Sequence, residues 1–98
     1  MNMDANKEIE IVINRFKSGD YEFTINKVSV LLKKFPNNDM LWNLKGLSLQ
    51  TIGNIKESIQ CFIKSLNINP KNIAAKNNLG NSYKYAYQYT LALECFEE

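Results

Sequence analysis

The sequence repeats itself with a period of 34 residues. Residues of the same type recur at this spacing, namely Gly19 and Gly53, Pro36 and Pro70, Gly46 and Gly80, and Phe62 and Phe96. A constant period of this size indicates a repeat architecture, in which each unit buries its apolar face against the next unit. Such stacks present long surfaces to other molecules, so the period favours a binding protein over an enzyme.

Each repeat is predicted to contain two amphipathic helices. In the second repeat, apolar residues recur at spacings of three and four in two stretches, which are Leu41, Leu44, Leu47, Leu49 and Ile52, then Ile55, Ile59, Phe62, Ile63 and Leu66. This spacing places the apolar side chains on one face of a helix. Short connections make successive helices antiparallel neighbours. The sequence therefore predicts an all-α chain of helix hairpins.

Turn-forming residues separate the predicted helices. Gly53 can take the left-handed conformation that closes a helix, and Asn54 can cap the helix that follows. Pro70 ends the next helix, and Asn72 can cap the one after it. One period earlier, the same helix-ending and capping roles are predicted for Gly19-Asp20 and Pro36-Asn37-Asn38.

The period divides the chain into repeats at 5–38, 39–72 and 73–98 within a single domain. The third repeat reaches Glu98 about eight residues before a full period. We therefore expect about five full helices and a short sixth helix that begins near Thr90. Two interpretations of this incomplete repeat are compatible. The chain is the N-terminal part of a longer protein, or its uncovered C-terminal end pairs with a second copy by stacking or by exchanging helices.

These residues resemble the tetratricopeptide repeat. The second repeat carries Trp42-Asn43-Leu44-Lys45-Gly46, followed by Ile55, Ser58, Phe62 and Pro70, and the third carries Leu79, Gly80, Tyr83, Tyr89, Ala92 and Phe96. The first repeat keeps Gly19, Tyr21 and Pro36 but has Glu8 where tryptophan is usual. The resemblance covers residue 5 to the C-terminus. It implies a right-handed α-α superhelix, or solenoid, whose hairpins each contribute an inner and an outer helix.

Close packing explains the small residues of this pattern. Gly46 and Gly80 let the inner helix approach its partner, while Phe62 and Phe96 fill the space between repeats. A large residue at Gly80 is therefore expected to overpack the core and cost roughly 1–3 kcal/mol.

Four alternating tyrosines, Tyr83, Tyr85, Tyr87 and Tyr89, would indicate a β-strand if the period were ignored. The period instead assigns Tyr83 and Tyr89 to buried positions and Tyr85 to the groove. Tyr87 falls where a turn glycine is expected, so a left-handed conformation there would be strained.

The composition provides few side chains suited to catalysis or metal binding. The chain has no histidine, which removes the commonest general base and metal ligand. We found no phosphate-binding loop, zinc-type cysteine pairing or nucleophile elbow. We therefore expect no enzyme activity, no metal and no cofactor. A net charge of +2 with Arg15 as the single arginine also argues against nucleic acid.

The chain is expected to work in the cytoplasm. Its N-terminus is polar, and no apolar run approaches the roughly 20 residues that span a membrane. Cys61 and Cys95 lie one period apart, so they are expected on neighbouring helices beyond the reach of an unstrained disulfide. Free thiols are typical of a reducing compartment.

The resemblance implies that the inner helices line a concave groove for an extended peptide or a helix. The candidate groove residues are Asn43, Leu47, Gln50, Asn77, Asn78, Asn81, Lys84 and Tyr85, with Ile9 and Ile13 at the apolar end. The carboxylate clamp with which some relatives grip chaperone tails is excluded, because all five of its positions differ here. Those positions carry Ile9, Ile13, Leu44, Ala74 and Asn78.

Asn78 matches the asparagine ladder of O-linked N-acetylglucosamine transferases, which grips peptide backbone, although Leu44 interrupts the ladder. Alternatively, the asparagines are exposed polar residues without a ligand. The sequence thus predicts a protein interaction scaffold. Two alternatives stay open: the N-terminal repeat domain of a larger glycosyltransferase- or sulfotransferase-type enzyme, and a self-association module.

Overall fold

Five consecutive α-helices make up the part of the protein that the structure describes. The structure is a computed structural model that describes the backbone of residues 5–97 and the side chains of residues 6–91 and 94. The helices are α1 (Ala5–Lys17), α2 (Tyr21–Lys34), α3 (Asp39–Thr51), α4 (Ile55–Ile68) and α5 (Ile73–Glu97). Each helix packs against the next, and α3 also contacts α5. The predicted all-α array of helix hairpins is confirmed, and its extents are 60 × 27 × 20 Å.

The predicted turn chemistry is confirmed at most helix ends. Gly19 and Gly53 have φ angles of 85° and 93°, in the left-handed region. Side-chain oxygens cap three helices by accepting backbone N–H groups, Asp20 from Phe23 at 3.3 Å, Asn38 from Leu41 at 3.1 Å and Asn72 from Ala75 at 3.0 Å. Asn54 occupies the capping position of α4, but its side chain makes no capping hydrogen bond.

The core lies both within the hairpins and between consecutive ones. A buried cluster joins α1, α2 and α3 through Val12, Val28, Leu31, Leu32 and Leu41. Further along, the fully buried ring of Phe62 packs against Gly46, and a Cβ atom at Gly46 would lie 2.6 Å from Phe62 Cε1. The predicted close approach of α3 and α4 at Gly46 is therefore confirmed.

Polar groups join the two ends of the second repeat. The Asp39 carboxylate accepts hydrogen bonds from Asn69 Nδ2 at 3.1 Å and from Asn72 Nδ2 at 2.9 Å. Ser65 Oγ donates to the Asp39 carbonyl oxygen at 2.9 Å. These bonds tie the start of α3 to the end of α4 and to the turn that follows it, so they hold the two helices of this hairpin in register.

The predicted sixth helix is wrong, because α5 continues without a break from Ile73 to Glu97. Among the residues described, no residue other than glycine has a positive φ, so the strain predicted at Tyr87 is also absent. The two earlier hairpin turns use glycine in the left-handed conformation. A side chain at Tyr87 disfavours that conformation, and the helix goes on.

Because α5 does not fold back, positions that the period assigned to the core lack a covering helix. Gly80 has open space where a Cβ would stand, with nothing within 4 Å. Tyr83 is 51 % exposed and Tyr89 is 66 % exposed, whereas Leu49, one period before Tyr83, is 3 % exposed. The packing predicted for Gly80, Tyr83 and Tyr89 is therefore wrong. The side chains of Ala92 and Phe96, for which core positions were also predicted, lie outside the described residues.

Candidate functional site

The candidate site is the face on which the inner helices α3 and α5 meet. Asn78 Nδ2 donates a hydrogen bond to Asn43 Oδ1 at 3.0 Å, so two of the predicted groove residues form a pair across the helices. Each amide has one further group, Asn43 Nδ2 and Asn78 Oδ1, that makes no hydrogen bond within the described part of the chain. The pair therefore offers one donor and one acceptor to a ligand.

Gln50 fixes the spacing of α3 and α5 beside this pair. Its Nε2 donates to the Asn78 carbonyl oxygen at 3.0 Å and to Ser82 Oγ at 2.8 Å. Ser82 Oγ lies 2.9 Å from Ser58 Oγ, and Ser58 donates its own proton to the Ile55 carbonyl oxygen at 2.6 Å. Since each hydroxyl has a single proton, Ser82 donates to Ser58. A continuous hydrogen-bond chain thus runs from α3 through α5 to α4.

An open cleft of about 560 Å³ extends from Gln50 toward the C-terminal half of α5. It is lined by Gln50, Thr51, Gly53, Ile55, Tyr85, Gln88 and Tyr89. Gln50 and Tyr85 were predicted for the groove, whereas Gln88 and Tyr89 were not. Tyr85, Gln88 and Tyr89 are three and four residues apart, so they share a face only if the helix runs through Tyr87. The missing glycine at Tyr87 was the signal for that continuation.

A smaller cleft of about 220 Å³ lies toward the N-terminal end of the same array. Its lining is mainly apolar and comprises Ile9, Ile13, Met40, Leu41, Asn43, Leu44, Asn72 and Ala74. Asn43 thus belongs both to this cleft and to the amide pair. The face changes from apolar near α1 to amide-rich and aromatic near α5.

The remaining predicted groove residues are less constrained. Leu47 is half-buried, and Asn77, Asn81 and Lys84 are exposed on α5. These three make no hydrogen bond or ion pair with other described side chains. Their part in binding stays a prediction.

The described residues show no cluster of three or more histidine, cysteine or carboxylate side chains that could hold a metal ion. Cys61 is a buried free thiol on α4 and lines neither of the two clefts. Burial raises the pKa of this thiol from 9.0 to about 11, so at neutral pH it is uncharged and a poor nucleophile.

Comparison with known proteins agrees with this architecture. A family profile described as "Tetratricopeptide repeat" matches residues 41–72. The peroxisomal targeting signal receptor of Candida albicans is 27 % identical over 92 % of this chain, and that of Saccharomyces cerevisiae is 28 % identical over 85 %. The mouse protein O-mannosyl-transferase TMTC3 is 29 % identical over 69 % of this chain. The aligned segments span only 16 %, 12 % and 7 % of those three proteins, respectively.

Fold, site and comparisons together define a helical-repeat protein. Residues 41–72 are a tetratricopeptide repeat, and the chain is distantly related to larger proteins that include the targeting signal receptors. None of the described helices combines the length and the apolar character that crossing a membrane requires.

Proposed function

We propose that the face between α3 and α5 binds an extended segment of a partner protein. The observation that carries this proposal is the Asn43–Asn78 pair, with its open donor and open acceptor. Every peptide unit other than one at proline offers one N–H and one C=O group, which such a pair can satisfy together whatever the partner's side chains are. The neighbouring Tyr85 and Tyr89 rings supply apolar surface for those side chains.

Two further observations support a recognition role. Gln50 holds α3 and α5 at a fixed spacing, so the amide pair is preorganised before a ligand arrives. Among the similar proteins, several are named receptors of a targeting signal. By analogy, we propose a short protein segment as the ligand of this chain too, in the reducing environment of the cytoplasm.

The expected affinity is modest. Each peptide hydrogen bond contributes only about 0.5–1.5 kcal/mol net, whereas association costs roughly 4–15 kcal/mol in lost freedom of motion. We therefore expect dissociation constants in the micromolar range or weaker.

The test uses a displayed library of random peptides, followed by calorimetric titration of an enriched peptide. Asn78→Ala removes the open acceptor and should weaken binding about tenfold, which corresponds to about 1.4 kcal/mol. Asn67→Ala, which changes an exposed asparagine on α4, is the matched control and should leave the affinity as it is. Equal affinities of the native protein and Asn78→Ala would refute recognition by the amide pair.

A second candidate function is substrate recognition within a larger enzyme of the glycosyltransferase or sulfotransferase type. The similarity to protein O-mannosyl-transferase TMTC3 favours it. In this proposal the repeats themselves carry no catalytic activity, and the catalytic domain lies elsewhere in the same reading frame. Determining the complete reading frame tests the idea, which fails if no such domain is encoded.

A further inference from the structure

A second surface of α5, outside the groove, is formed by a row of exposed residues. Six exposed residues, Lys76, Gly80, Tyr83, Tyr87, Thr90 and Glu94, follow one another at alternating spacings of four and three. We call this row the α5 stripe. Alternating spacings of this kind place residues along one side of a helix, as at the contact seam of a coiled coil.

The α5 stripe is distinct from the peptide cleft. The cleft is lined by Tyr85 and Tyr89, whereas Tyr83 and Tyr87 do not contribute to it. Tyr83 is 51 % exposed and Tyr87 is 67 % exposed, so two large rings stand in solvent on the same side of the helix. The four tyrosines that alternate in the sequence thus divide between two surfaces.

We propose that two copies of this chain pair side by side through the α5 stripe, with their α5 helices antiparallel. The charges at its ends select this arrangement. In an antiparallel pair centred between Tyr83 and Tyr87, Lys76 of each copy faces Glu94 of the other. A parallel pair would place Lys76 against Lys76 and Glu94 against Glu94, which is repulsive.

The same register matches the middle of the stripe. Tyr83 of one copy faces Tyr87 of the other, and this pairing occurs twice by symmetry. Gly80 faces Thr90 of the second copy, and the space beside Gly80 is open to receive it. One alignment therefore pairs opposite charges, aromatic rings, and a small residue with a larger one.

The size of the contact sets the expected strength. A buried tyrosine covers 150–250 Å², so four half-exposed rings would bury on the order of 400 Å² on pairing. That is about a third of the roughly 1,200 Å² at the lower end of stable interfaces. The remainder has to come from the aliphatic stem of Lys76, from Thr90 and from flanking residues of α5. We expect a reversible dimer with a dissociation constant in the micromolar range.

Sedimentation velocity over protein concentrations from about 1 µM to 1 mM tests the pairing against this expected range. Tyr87→Glu should raise the dissociation constant at least about tenfold, because it places two charges within the aromatic centre. Tyr89→Glu is the matched control, an equally exposed tyrosine outside the stripe, and should change the constant less than about threefold. A chain that stays monomeric throughout, or a dimer that Tyr89→Glu disrupts and Tyr87→Glu does not, would overturn the proposal.

A charge exchange tests the register independently of the tyrosines. Lys76→Glu and Glu94→Lys should each weaken the dimer, since each creates two like-charge contacts, while the double variant should restore the native constant to within about threefold. High salt should shrink the effect of each single variant. If the double variant is as weak as the single variants, Lys76 and Glu94 do not face each other and the antiparallel register is wrong.

Discussion

At the residue scale, two glycines one period apart have opposite surroundings. A Cβ atom on Gly46 would stand 2.6 Å from the buried Phe62 ring, whereas a Cβ on Gly80 would meet nothing within 4 Å. The repeat pattern assigns the same function to both. Only the presence or absence of a covering helix separates them.

This difference predicts opposite signs for one substitution. Gly46→Ala should destabilise the fold by about 1–2 kcal/mol, because overpacking outweighs the gain in helix propensity. Gly80→Ala should stabilise it by about 0.5–1 kcal/mol, since only the propensity gain remains. Urea unfolding measures both variants, and a Gly80→Ala variant as unstable as Gly46→Ala would show that a helix does cover Gly80.

Cys61 makes stability depend on alkaline pH. Burial raises the pKa of its thiol above the value of 9.0 that an exposed thiol has, to about 11. Between about pH 9 and pH 11 the unfolded state has lost the thiol proton that the folded state keeps, so the free energy of unfolding falls as the pH rises. The contribution of the protonated Cys61 thiol to stability is complete below about pH 9 and is lost by about pH 11.

We expect the free energy of unfolding of the native protein to fall by about 1–3 kcal/mol more than that of Cys61→Ala between pH 9 and 11. Urea titrations of both proteins at several pH values provide the measurement. Parallel pH profiles for the two proteins would contradict a raised thiol pKa.

At the element scale, the informative feature is the length of α5. The earlier hairpins turn at Gly19 and Gly53, both with positive φ, while α5 passes through Tyr87 as a helix. This continuation uncovers Gly80 and Tyr83, brings Gln88 and Tyr89 into the cleft, and creates the α5 stripe.

Replacing Tyr87 by glycine tests the continuous helix. In a helix interior, glycine is about 1 kcal/mol less favourable than alanine, so Tyr87→Gly should be less stable than Tyr87→Ala. At a left-handed turn the order would be reversed, because glycine alone takes that conformation without strain. Thermal unfolding at a low protein concentration ranks the two variants, and a more stable glycine variant would indicate that the chain turns at Tyr87.

The period predicted the parts of the fold that depend on local sequence. Helix ends at Gly19, Gly53 and Pro70, and the contact of Gly46 with Phe62, require only neighbouring residues or one hairpin. The prediction for the third repeat was wrong because the repeat pattern implied a covering helix. Tyr87 disfavours the left-handed turn that would have to precede such a helix, and α5 continues instead. The Asn43–Asn78 hydrogen bond could not be predicted from the sequence either, because it joins residues 35 apart and depends on the angle between α3 and α5.

At the scale of the whole molecule, contacts run almost entirely between successive helices. The array is long and narrow, with extents of 60 × 27 × 20 Å, and within the described residues no central core unites α1 with α5. In such arrays, stability is approximately the sum of local terms and of interfaces between neighbours.

This arrangement predicts a gradient of hydrogen-exchange protection along the chain. α3 and α4 have helices on both sides and should exchange slowest, whereas α1 packs mainly on α2 and should exchange faster by local opening. Native-state exchange followed by NMR measures this. Equal protection of α1 and α3 would mean that the chain opens only as a whole.

Trp42 gives this gradient an optical readout. It is the single tryptophan, and its indole N–H donates to the Pro36 carbonyl oxygen at 2.9 Å in the connection between α2 and α3. The ammonium groups of Lys45 and Lys64 lie 5.8 and 5.9 Å from the centre of its ring. Its fluorescence therefore reports on the connection between α2 and α3 and on the packing of α4 beside it, so a change in emission during unfolding marks the loss of these contacts without any attached label.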